Sequence, residues 1–140
     1  MRIPAVLIFI IVITGCTSNY PLKSVDYNDL FTSGNSKVWV IDRMIVNKVN
    51  IAQHLLKNKE ALIFHESGVV DYIPVKAIGE KKPTKGRYYL DSDKRTLSLT
   101  FDDDEWLFKL PVLEENRIVL KPKKKGSAPF TAELVPLPEL

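Results

Sequence analysis

Between Thr96 and Phe101 the chain alternates without a break. Leu97, Leu99 and Phe101 fall on one side of an extended strand, and Thr96, Ser98 and Thr100 on the other. Successive side chains of a strand point to opposite faces, so this segment has one dry face and one wet face. The same period returns downstream. Trp106, Phe108 and Leu110 oppose Lys109; Ile118 and Leu120 oppose Arg117 and Lys121; Phe130, Ala132 and Leu134 oppose Thr131 and Glu133. A period of two does not suit a helix. It constrains this half of the chain to antiparallel sheet around one core.

Upstream, Lys37–Val46 is rich in Val, Ile and Trp and reads as the first strand. Ala61–His65 and Val69–Val75 flank Glu66-Ser67-Gly68, a hairpin signal. Gly86–Leu90 and Arg95–Phe101 flank Asp91-Ser92-Asp93-Lys94. Glu105–Val112, Arg117–Lys121 and Phe130–Val135 complete eight segments separated by turn residues. Asn50 is placed to cap a short helix over Ile51–Lys57, with Ile51 and Leu55 on one face. The expectation is an all-β domain over residues 37–140: a small antiparallel up-and-down barrel of about eight strands with one short helix. Closure at that strand number removes exposed edges.

The N-terminus has a different character. Arg2 is followed by eleven residues, Ile3–Ile13, that are apolar apart from Pro4. Such a run is long enough for a signal-peptide core and too short for a bilayer span of about 20 residues. It ends in Ile13-Thr14-Gly15-Cys16, and Cys16 is the only cysteine. This motif resembles the lipobox of bacterial lipoproteins. The resemblance implies a signal peptide over residues 1–15, cleavage before Cys16, and diacylation (palmitate-type chains) of the Cys16 sulfur. Two or three chains anchor stably where one binds reversibly. The other reading is an ordinary leader or span with a spare cysteine. Residues 16–36 then form a lipidated N-terminus and a polar tether, with Leu30 and Phe31 able to dock on the domain. Loss of Arg2 takes the formal charge from +3 to +2, which calls for no nucleic acid. With Cys16 lipidated no thiol remains, so the fold stands without disulfides or thiolate–metal bonds.

From Lys37 onward the pattern is similar to the lipocalin-like domains of small bacterial lipoproteins of the Bacteroidetes type. Trp39, Leu62-Ile63-Phe64-His65-Glu66-Ser67-Gly68, Gly86-Arg87-Tyr88-Tyr89-Leu90, Leu97-Ser98-Leu99, Trp106–Leu110 and Arg117–Leu120 carry the resemblance. It implies a barrel whose early Trp plugs one end, and a binding or structural role. An interior ligand site would be lined by Trp39, Leu99, Phe101, Trp106, Phe108, Ile118, Leu120 and Phe130. Side chains alone can also fill a barrel of this size.

Candidate chemistry is sparse. Asp102-Asp103-Asp104-Glu105 lacks the glycine of a calcium loop and reads as a solvated turn. His54 and His65 lack the partners of a zinc site. No metal and no cofactor are expected. Ser67, Ser92 and Ser127 sit in turns with no marked base. A hydrolase would need the fold to bring Ser, His and Asp within hydrogen-bond reach, and no enzyme is expected. Lys81-Lys82-Pro83-Thr84-Lys85 and Lys121-Pro122-Lys123-Lys124-Lys125 either aid solubility or meet anionic headgroups. The expected function is a membrane-anchored, non-enzymatic interaction or scaffold module, an accessory subunit of an envelope complex. The alternative is a carrier or sensor of a small apolar ligand or lipid. Thr17 and Ser18 after the cysteine favour the outer membrane, on its periplasmic face.

Overall fold

A computed structural model of the chain describes residues 26–51 and 53–138. A helix, α1 (Asn28–Thr32), precedes nine strands: β1 (Ser36–Val46), β2 (Val49–Ile51), β3 (Glu60–His65), β4 (Val69–Pro74), β5 (Thr84–Asp91), β6 (Thr96–Phe101), β7 (Asp104–Glu114), β8 (Arg117–Pro122) and β9 (Thr131–Pro136). Eight of them form a closed, up-and-down antiparallel barrel of the lipocalin-like kind. Closure is made by β1 and β9, paired from Trp39↔Pro136 to Ile45↔Thr131. The eight segments expected from the sequence are the eight barrel strands, with ends displaced by a residue or two.

Long first and seventh strands make closure possible. The two ends of β1 have different partners on one edge: β3 takes Ser36–Ile41 and β2 takes Met44–Val46. Asp42, between these two stretches, is skipped where the β9 register shifts. The β7–β8 register also shifts, between Lys109 and Val112. Bulges of this kind increase twist and help a sheet curl.

The short helix expected over Ile51–Lys57 is not there. Asn47 and Lys48, at φ 49° and 64°, form a two-residue turn that sends the chain back along β1 as β2. Both turn residues are left-handed, as a primed hairpin turn requires. Ile51 therefore pairs with Met44, and only a 3-10 turn, Leu56–Asn58, follows. The helix present is α1, inside the segment read as tether. Asp26 accepts from the Asn28 backbone N–H at 2.9 Å and favours the turn that starts it. Phe31 on that helix is fully buried.

The core is one contiguous cluster, from Phe31 and Trp39 to Ala132 and Leu134, with Tyr27 packed against it. Among the described residues this core lies within residues 27–134, inside a barrel that closes on itself. The strand order gives the barrel two unlike ends. At the helix end α1 covers the mouth: Trp39 Nε1 donates to the Phe31 carbonyl at 3.1 Å, and Lys37 Nζ lies 4.2 Å from the Trp39 ring centre. At the open end the β1–β2 turn, the β4–β5 connection, the acidic β6–β7 turn and the β8–β9 loop surround the opposite mouth.

Candidate functional site

The eight residues expected to line an interior site come together. Trp39, Leu99, Phe108, Ile118 and Leu120 have no exposure, Phe101 and Phe130 have 8 % each, and Trp106 is half-buried against the same cluster. They are packed on one another. Phe101 and Trp106 rings are 5.4 Å apart, Trp106 and Phe130 5.5 Å, and Phe108 and Phe130 5.6 Å. At the helix end Phe31 meets Phe64 at 4.9 Å and Phe64 meets Tyr88 at 5.0 Å, both edge-on. Such pairs add about 0.5–1.5 kcal/mol each beyond burial. Of the eight, Phe130 alone borders one of the larger clefts, at the open end. Tyr88 and Tyr89 point to opposite faces as the period requires: Tyr88 packs on the core, and Tyr89 is 69 % exposed.

On the outer wall near the helix end the fold assembles a chain that no sequence spacing announces. Ser36 Oγ lies 2.6 Å from His65 Nδ1, and His65 Nε2 lies 2.7 Å from Asp71 Oδ2. Lys85 Nζ lies 3.3 Å from Asp71 Oδ1. Thus Ser, His and Asp stand within hydrogen-bond reach. Asp71 is buried and Ser36 exposed. Acyl transfer at Ser36 would also need N–H donors converging on an oxyanion. Two neighbouring donors are engaged: Glu66 N–H binds the Asn35 carbonyl at 2.7 Å and Gly68 N–H the His65 carbonyl at 3.0 Å. The His65 carbonyl also accepts from Tyr88 Oη at 2.6 Å. The network clasps β1, β3, β4 and β5 and satisfies a buried carboxylate.

The open end carries the polar and basic features. Tyr72 Oη donates to Glu60, and Lys59 pairs with Asp42. Burial pushes the Glu60 carboxyl above its ordinary pKa. At the helix end, burial lowers the Lys37 ammonium's pKa, partly offset by Glu115. Two open clefts flank the mouth. One, of about 440 Å³, runs from Tyr72 and Ile73 over Ala77 to Lys81 and Lys82. The other, of about 580 Å³, lies between the β1–β2 turn and the β8–β9 loop and is bordered by Lys48, Lys121, Lys124 and Lys125. The β8–β9 loop is organised by Ser127. Its carbonyl accepts from Leu107 N–H at 2.8 Å, and its hydroxyl accepts from Lys124 N–H at 3.0 Å.

Among the described residues no helix is long and apolar enough to cross a membrane. Cys16 and its motif lie outside the described residues, as do the whole leader and residues 16–25 of the tether. No family model matches the chain, and no curated protein is similar to it.

Proposed function

We propose that this protein is an envelope lipoprotein, held in the outer membrane by acyl chains on Cys16, whose barrel is a non-enzymatic interaction module. The observation that carries the reading is the state of the interior. The side chains placed to line a pocket are used to fill the barrel, and the roomy clefts with exposed charge lie at its open rim. A filled barrel offers surfaces; a carrier would need this aromatic core to part. The Ser36–His65–Asp71 chain is read as a clasp on the same grounds of geometry.

Crosslinking of the full-length protein in its own membranes, followed by purification, tests the role. A reproducible envelope neighbour, contacted through the open end, is expected. Recovery of the protein alone at every crosslinker length would overturn the role as interaction module.

A further inference from the structure

The β1–β2 hairpin lies at the open rim, with an apolar inner face and Ile45 on its outer face. Residues directly opposite in an antiparallel pair share a face. Val46 and Val49 are one such pair and Met44 and Ile51 another; they continue the barrel's inner face beyond its core. Ile45, paired with Asn50, lies on the outer face. Ile45, Val49 and Ile51 are 39 %, 60 % and 45 % exposed.

The surroundings are cationic. Lys48 at the hairpin tip, with Lys121, Lys124 and Lys125 of the neighbouring loop, borders a single cleft. The acidic Asp102–Asp104 turn, between strands β6 and β7, is separated from this loop by the β7–β8 pair, and no acidic residue borders the cleft itself. Lys48 occupies a left-handed position at φ 64°, where glycine costs least. The chain therefore carries a charge at its tip against the local backbone preference. The opposing loop is pre-shaped by the Ser127 hydrogen bonds. Every cation bordering the cleft is a lysine: a hydrated point charge on a long apolar stem, suited to mobile headgroups rather than to fixed carboxylates that an arginine fork would grip. A second copy of this face would oppose lysine to lysine.

We infer that the hairpin tip and the β8–β9 loop together dock on an anionic lipid bilayer, Ile45, Val49 and Ile51 entering the headgroup boundary and the lysines meeting the lipid charge. This rests on the reading of the chain as an envelope lipoprotein, and adds a contact of the barrel itself with the bilayer that the acyl chains already hold. Asp26 lies ten positions beyond Cys16, up to about 33 Å of extended chain. The eleven residues of β1, at barrel tilt, span roughly 28 Å of axis. The open end can thus reach the bilayer that holds the anchor.

The test uses residues 26–140, the closed barrel with its helix and without the anchor, first shown to unfold cooperatively, so that its failure is distinct from failure of Cys16 lipidation. Flotation with phosphatidylcholine vesicles is compared with vesicles containing phosphatidylglycerol. Binding to the anionic vesicles alone is expected, weakened by salt. Each lysine near the surface is worth about a fivefold change in partitioning, so K124E/K125E should lower it at least about twenty-five-fold, and V49S/I51S should lower it while leaving the salt dependence. Lys48→Gly should raise the melting temperature and weaken binding together, which a purely structural role would not produce. Absence of flotation, equal binding to both vesicle types, or unchanged binding of K124E/K125E would overturn the proposal. So would a concentration-dependent dimer abolished by V49S/I51S, which would assign the hairpin to self-pairing.

Discussion

The indole N–H of Trp39 donates to the carbonyl oxygen of Phe31 at 3.1 Å, and both side chains are fully buried. This bond joins the segment ahead of the barrel to the first strand, so α1 is part of the core. Phe31→Ala should cost about 3–5 kcal/mol, as for other large aromatic truncations. A chain begun at Ser36 should melt below one begun at Asp26. Calorimetry of the two lengths checks this, and equal melting temperatures would remove α1 from the core.

Gly86 has a different constraint. A Cβ there would stand 2.5 Å from the Thr100 carbonyl oxygen and 2.6 Å from Cδ1 of Phe101. The Phe101 ring fills the space a side chain would take, and the neighbouring backbone cannot swing away as a side-chain end can. Gly86→Ala should therefore destabilise by about 1–3 kcal/mol, the range of overpacked cores. Denaturant titration reads the shift.

Glu60 links stability to pH. Burial raises its folded pKa, so the folded state holds the proton more tightly than the unfolded chain does. Its contribution to stability then falls as pH rises from the ordinary carboxylate range through the raised folded value. Glu60→Gln keeps an oxygen to accept from Tyr72. It should raise the melting temperature at neutral pH and leave it unchanged in acid below that range. A gain of equal size at both pH values would contradict the assignment.

The eight barrel strands were legible because four of them alternate with one wet face and the other four are β-rich runs between turn residues. Phe108, Ile118 and Leu134 declare their inward side without reference to any other strand. The β1–β2 hairpin was not legible. Asn47-Lys48 lacks the glycine that marks such turns, and Ile51 and Leu55 at helical spacing compete with the strand reading. Helix α1 was hidden in a polar stretch, where Asp26 was the available signal and Phe31 the residue that needed covering. Within the candidate sites, the inward aromatic set follows from period alone. The lysine cleft and the Ser36–His65–Asp71 chain depend on which strands become neighbours, and a sequence read one strand at a time does not contain that.

The clasp reading of Ser36, His65 and Asp71 has its own consequence. Asp71→Ala leaves His65 and Lys85 without their acceptor and should cost about 1–3 kcal/mol, whereas Ser36→Ala, at an exposed hydroxyl, should stay near 1 kcal/mol or below. A fluorophosphonate probe should leave Ser36 unlabelled. Stoichiometric labelling lost in Ser36→Ala and in His65→Ala would make the network a nucleophilic site.

Native mass spectrometry of the full-length gene product extracted from its own membranes tests the central claim most directly. The account predicts a chain of Cys16–Leu140 carrying acyl chains on Cys16, with no further apolar ligand retained by the barrel. A chain beginning at Met1 with a free Cys16 thiol, or a barrel that keeps a bound lipid after the anchor is accounted for, would contradict it.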